Sequence, residues 1–152
     1  MATVSGFLDK VKNVDVKSLT KAVIQENERQ IINLNRKDQI FDKGIDSEGK
    51  VLGNYSPSTQ AFYDKDDPND PMGSDKRAYS RFNLFWTGQS YYGFRAYMKG
   101  LKMFITTNSR GRKLLIENGG ANVFGLTTEN DRKVNWEIIA PKLNEKIRKI
   151  LL

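Results

Sequence analysis

The stretch Asn83–Thr107, NLFWTGQSYYGFRAYMKGLKMFITT, decides the fold. Within it Phe94, Ala96 and Met98 alternate with Arg95, Tyr97 and Lys99. After Gly100, Leu101, Met103 and Ile105 alternate with Lys102, Phe104 and Thr106. A repeat of two on both sides of Lys99-Gly100 predicts two antiparallel strands joined by a tight turn. Leu84, Phe85 and Trp86 lead into Thr87-Gly88, a break that lets the chain turn back. A lone hairpin is marginal in water, so flanking helices must cover it.

Helical patterns lie on both sides. Ser5 to Lys12 reads as a short helix with Ser5 as N-cap and Phe7, Leu8 and Val11 on one face. A longer helix is expected from Val16 to Asp42, with Leu19, Val23, Gln30 or Ile31, Leu34 and Phe41 as a narrow stripe and the polar Asn27 and Asp38 on or beside it. Glu26, Glu28, Arg29, Arg36 and Lys37 fall largely on its wet side, and Gly44 stands where a glycine stops a helix. On the C-terminal side, Asn118-Gly119-Gly120 breaks the chain and Thr127 or Thr128 caps a helical region. Glu129 and Asp131 suit its first turn, and Lys142, Lys146, Arg148 and Lys149 its last turns. Trp136, Ile139, Leu143, Ile147 and Ile150 form the expected stripe, with Pro141 kinking or restarting the helix. The fold class is therefore α+β: a long N-terminal helix and a C-terminal helix packed on a small antiparallel sheet. One domain is expected over 1–152, with N-terminal helices in 1–44, sheet and loops in 45–120 and a C-terminal helical region in 121–152.

Between these elements the chain is rich in turn chemistry. Asp46-Ser47-Glu48-Gly49 reads as a turn, Lys50 to Leu52 as a short strand, and Tyr55-Ser56-Pro57-Ser58-Thr59 as a capped turn. Asp64–Asp75, DKDDPNDPMGSD, fails the calcium-loop pattern, because Asn69 stands at the sixth position and Asp75 at the twelfth. It reads as a solvated loop. Asn108–Lys113, NSRGRK, is a basic turn, and Lys113–Glu117 is either a short strand or a helical turn.

Composition narrows the chemistry. A chain of 152 residues, 38% hydrophobic and 11% aromatic, supports one packed core. Without cysteine there is neither a disulfide nor a thiolate metal site, and without histidine the usual neutral-pH proton shuttle is missing. Serine and cysteine triads of the familiar kinds are excluded, and no glycine-rich phosphate motif is present. No catalytic residue, cofactor or metal is expected. No apolar run approaches the ~18 residues of a membrane span, so a soluble, cytosolic product is expected. The net charge of +7 is dispersed along the chain. Arg110, Arg112 and Lys113 offer a phosphate contact, although a solvent-facing hairpin tip is the better reading. Tyr91, Tyr92, Phe94 and Tyr97 beside Arg95 offer a base-stacking platform, with ordinary strand packing the better reading. A small basic nucleic-acid-binding protein is thus the alternative function.

Three separated pieces carry a family resemblance. They are Asp46-Ser47-Glu48-Gly49 with Tyr55-Ser56-Pro57-Ser58-Thr59; Leu84, Thr87-Gly88, Ser90 and Tyr91; and Asn118-Gly119 with Phe124-Gly125-Leu126-Thr127. In this order they resemble the motifs of phage tail-completion and virion-morphogenesis proteins, over a span from Asp46 to Leu152. Gly120-Ala121-Asn122-Val123 stands where that family has a basic, proline-containing approach. The resemblance implies a structural virion protein of a tailed bacteriophage: a ring-forming head–tail connector in the neck or upper tail, without catalysis. It implies partners in further copies of itself and in portal and tail proteins, with DNA contact incidental. Asp64, Asp66, Asp67 and Asp70, with Tyr91, Tyr92, Phe124 and Leu126, are the expected protomer or partner contacts.

Overall fold

Gly100 turns the chain between strands β1 (Arg95–Lys99) and β2 (Lys102–Thr106), with its backbone at φ +66°. These strands belong to a computed structural model that describes residues 4–54, 92–100 and 102–152. The register pairs Arg95 with Thr106, Tyr97 with Phe104 and Lys99 with Lys102. Alternation then sends Ala96 and Ile105 into the core and Tyr97 and Phe104 to solvent, as the sequence pattern requires. Phe94, just ahead of β1, is buried as well.

The N-terminal side is helical from α1 (Val4–Lys12) through α2 (Val16–Glu26) and α3 (Glu28–Asn33) into a π-helical run, Leu34–Lys43. Ser5 lies inside α1 rather than capping it, and Phe7, Leu8 and Val11 remain about half exposed. Asp15 caps α2, accepting from Ser18 N at 3.0 Å and Ser18 Oγ at 2.6 Å. The single helix expected over Val16–Asp42 is broken at Asn27, whose φ of −115° is not helical. Its buried side chain donates to Val23 O at 2.7 Å, a carbonyl that also accepts the Asn27 backbone N–H at 3.1 Å, so both donors of this residue close the end of α2. Gly44 ends the π run in the left-handed region, φ 61° and ψ 39°, as expected.

The π run moves the buried face. Hydrogen bonds spanning five residues rather than four unwind the helix slightly, so an apolar stripe counted at 3.6 residues drifts off register. Asn35, Gln39, Ile40 and Phe41 face inward here, where the sequence pattern offered Leu34 and Phe41. The Asp46–Gly49 turn forms as expected. The buried Asp46 carboxylate accepts from Glu48 N and Lys50 N, both at 2.9 Å, and Gly49 adopts φ +78°. The short strand expected at Lys50–Leu52 is reduced to an isolated bridge between Ile45 and Val51.

NSRGRK is not a hairpin tip. Ser109 begins helix α4 (Ser109–Gly119), which absorbs both the basic turn and Lys113–Glu117, and Leu115 anchors it in the core. Gly120, at φ +78°, leads through a 3-10 turn (Ala121–Val123) to α5 (Thr128–Lys133). Thr127 is the N-cap, its Oγ1 accepting from Asn130 N at 3.3 Å. A second π run, Val134–Ile139, precedes α6 (Ala140–Leu151), which restarts with Pro141 in its first turn. The expected stripe shifts here too: Trp136 is 72% exposed, while Val134 and Ile138 are buried.

The hairpin packs through β1 on α2 and α3, and α6 packs on α2 and α1. The architecture is α+β, with a long C-terminal helix and a two-strand antiparallel sheet. One cluster joins Ile24, Ile31, Ile40, Phe94, Leu115, Val123 and Ile138. Each such side chain contributes roughly 1.5–3 kcal/mol by leaving water. The capped turn at Tyr55–Thr59, the aspartate-rich segment and the Leu84–Tyr91 motif lie outside the described residues.

Candidate functional site

Three amide side chains, all fully buried, hold the loop between the 3-10 turn and α5: Asn35, Gln39 and Asn130. Asn35 Nδ2 donates to Val123 O at 2.9 Å and to Gly125 O at 2.6 Å. Gln39 Nε2 donates to Gly125 O at 3.0 Å, while its Oε1 accepts from Thr127 N at 2.8 Å and from Asn130 Nδ2 at 3.0 Å. Asn130 Nδ2 also reaches Leu34 O and Asp38 Oδ2, each at 2.9 Å. A loop backbone buried against helices needs partners for its polar groups, and these amides supply them. Asn35 and Gln39 can do so together because, four residues apart, they share the inner face of the π run.

The Asp46–Gly49 turn closes on the same loop from the other side. Ser47 N donates to Asn122 O at 2.9 Å. A Cβ built on Gly125 would stand 2.8 Å from Ser47 Cβ, so only glycine fits the approach of the two segments without a shift. The Asp46–Gly49 part of one resemblance motif and the Phe124–Thr127 part of another, far apart in sequence, therefore meet at Ser47 and Gly125.

Held this way, the loop presents Phe124 and Leu126 to an open cleft of about 570 Å³ between the hairpin and the C-terminal helices. Ile24, Met98, Met103, Phe104, Ile105 and Ile139 complete its apolar lining, with Lys102 and Asp131 among its polar groups. The Phe124 ring packs against Phe94 at 5.8 Å. Methionine walls can repack around differently shaped apolar groups, which suits a protein contact. Asp38 borders the amide cluster. Burial pushes its carboxyl up, but the Asn130 hydrogen bond and Lys43 at 3.1 Å outweigh this, and it lies below its ordinary 3.8.

The sequence-predicted residues separate into groups. Phe124 and Leu126 share the cleft, half-buried against the core. Tyr92 is 65% exposed, outside the cleft lining. Asp64, Asp66, Asp67, Asp70 and Tyr91 lie outside the described residues. Arg112 and Lys113 are exposed on the first turns of α4, where Lys113 pairs with Glu117 at 3.8 Å; the Arg110 side chain is outside the described set. The proposed stacking platform is divided, since Phe94 faces the core and Tyr97 faces solvent. The amide cluster was missed. Its signal was present as Asn35 and Gln39, one helical step apart and flanked by Ile31-Ile32 and Ile40-Phe41.

Among the described residues, no group of three or more acidic side chains is placed to hold a metal ion, and no helix is long and apolar enough to cross a membrane. No protein-family model, no curated protein and no solved structure matches the chain.

Proposed function

We propose that the chain is a structural protein of a tailed bacteriophage particle, a ring-forming head–tail joining component of the neck or tail-completion type, without catalysis. One observation carries this reading beyond the ordered motifs. The D-x-x-G turn and the F-G-L-T element meet in space through the close approach of Ser47 to Gly125, with Ser47 N also donating to Asn122 O at 2.9 Å, just ahead of that element. Their packing supports treating the motifs as parts of one unit rather than as separate coincidences.

The cleft is the surface through which protomers or neighbouring virion proteins meet. It has an apolar lining that includes Phe124 and Leu126, and it carries one cation, Lys102, and one carboxylate, Asp131. A neighbour that inserts an apolar side chain there gains burial in the centre and orientation from the charges. The outer edge of β1 is a poorer docking site, because Glu28 already accepts the Ala96 N–H at 3.0 Å.

Mass photometry of the purified chain tests the reading. Discrete multimers are expected at physiological salt, alone or with portal and tail proteins, and Leu126→Asp shifts them toward monomer. Only monomer under all of these conditions overturns it.

A further inference from the structure

The solvent face of the hairpin has a composition that the core does not explain, and two of its residues, Phe104 and Lys102, also line the cleft. Three cross-strand pairs make it up: Arg95 with Thr106, Tyr97 with Phe104, and Lys99 with Lys102. The two rings stack at 5.8 Å with planes 21° apart, and they remain 44% and 40% exposed. Cations stand at both ends of this aromatic pair. From Tyr92 to Asn108 there is no acidic residue. Among the described residues, no carboxylate forms an ion pair with Arg95, Lys99 or Lys102.

One feature of this face runs against folding of the isolated chain: Lys99 and Lys102 are directly opposed, and like charges in that position destabilise a strand pair. The opposed Tyr97 and Phe104 rings stabilise the hairpin by their pairing yet keep part of their surface open to solvent. Together the cations and the exposed ring surface suit an anionic ligand with flat apolar groups. We propose that this face binds single-stranded nucleic acid, with bases stacking on Tyr97 and Phe104 and phosphates meeting Arg95, Lys99 and Lys102. Four residues of strand separate Arg95 from Lys99, about 13 Å at 3.3–3.4 Å per residue. That length places one cationic site on each side of the rings, so a strand running along β1 can pair phosphates at both ends while an intervening base lies on the ring pair. Exposed aromatics on a sheet flanked by basic residues are a common means of holding unpaired bases. Arg95 Nη1 donates to Phe94 O at 2.9 Å, which steadies the guanidinium at one end of the ring pair. The inference does not depend on ring formation.

Fluorescence anisotropy with labelled dT12 tests it, against a duplex of equal length and polyglutamate. Binding to dT12 is expected to exceed binding to the duplex. Its logarithmic salt slope should be about −2 for three neutralised phosphates on a single strand. Lys99→Gln with Lys102→Gln should flatten that slope by about 1.4. Tyr97→Leu or Phe104→Leu should weaken binding at least about fivefold, the low end for loss of one stacked base. Tyr97→Phe and Phe104→Tyr keep the rings and should bind as the parent does, and thermal melting checks that each variant is folded. The lysine double variant touches no core residue, so it reads the electrostatic part even if a ring variant unfolds. No binding at low salt overturns the proposal. So does equal or tighter binding of duplex with the ring variants unaffected, which would indicate phosphate contact alone. Preference for polyglutamate overturns it in favour of an acidic protein partner.

Discussion

Gln39 and Thr127, separated by 88 positions in sequence, are joined by a hydrogen bond of 2.8 Å from the Thr127 N–H to Gln39 Oε1. Thr127 is also the N-cap of α5. One side chain in the N-terminal π run therefore fixes where a C-terminal helix begins. The same amide holds Gly125 O, so it sets the path of the loop that carries Phe124 and Leu126.

Replacing Gln39 by Leu keeps the volume and removes both functions of the amide. It strands the Thr127 N–H and removes one of the donors to Gly125 O inside the protein. Leaving buried groups unpaired costs about 1–3 kcal/mol each. Gln39→Leu is expected to lower unfolding free energy by roughly 2–3 kcal/mol in urea titration. Amide exchange should rise at Thr127 before it rises in the hairpin.

The contact between Gly125 and Ser47 can be tested as a pair. Gly125→Ala drives a Cβ to 2.8 Å from Ser47 Cβ, an atom fixed to the backbone that cannot swing aside. Overpacking of this kind costs typically about 1–3 kcal/mol. Ser47→Gly alone should cost under about 1 kcal/mol through loop entropy. In the double variant the clash is gone, so the two losses should not add. A favourable coupling of at least about 1 kcal/mol is expected from a double-mutant cycle of urea midpoints.

These tests fall where the sequence was hardest to read. The hairpin was legible because alternation is local: Ala96 and Ile105 inside, Tyr97 and Phe104 outside, follow from the pleat alone. Gly44 and Thr127 were legible for a similar reason, since a left-handed stop and a hydroxyl cap each depend on a few neighbouring residues. The two π runs were not. Their hydrogen-bond spacing is set by what packs on them, and counting at 3.6 residues rightly turned Leu34 toward the core but put Trp136 inside and passed over Asn35 and Gln39. In the fold, Gln39 and Asn130 take the buried places beside Leu34, and Val134 and Ile138 displace Trp136. The break at Asn27 was also hidden, because its buried amide bonds back to Val23 O, a use of asparagine that an amphipathic pattern does not register. Of the site, Phe124 and Leu126 came from motif resemblance, whereas the amides that position them needed the tertiary pairing.

Asp38 gives a pH dependence with a definite sign. Its folded-state pKa lies below the ordinary 3.8: burial raises it, but the Asn130 and Lys43 hydrogen bonds prevail. A depressed carboxylate contributes stability that is complete above its unfolded value and is lost as pH falls through its folded value. Stability is therefore expected to drop below about pH 4. Asp15, Glu129 and Glu145, also lowered by their hydrogen bonds, act in the same direction. Asp38→Asn should make the acid limb shallower without abolishing it. At neutral pH it should cost no more than about 1 kcal/mol, since the side chain is one-third exposed. Urea titrations from neutral to acid pH, parent against variant, measure the difference. Parallel curves would show that Asp38 is not linked to folding.

Glu28 is where stability and assembly meet. Its carboxylate, on the first turn of α3, accepts the Ala96 N–H that β1 turns outward, so a helix residue covers a polar group of the strand edge. An uncovered edge is a template for pairing with another chain. Glu28→Ala removes the acceptor and should cost about 1.5–3 kcal/mol, the range for a hydrogen bond to a charged group. Glu28→Gln keeps an oxygen there and should lose less. The Ala96 amide should exchange faster in the alanine variant than in the glutamine variant. If the cleft is the assembly surface, Glu28→Ala should add larger, heterogeneous species in mass photometry while the discrete multimers persist. If β1 were itself the protomer contact, opening its edge would instead strengthen the discrete multimers. The same titration therefore separates the two surfaces.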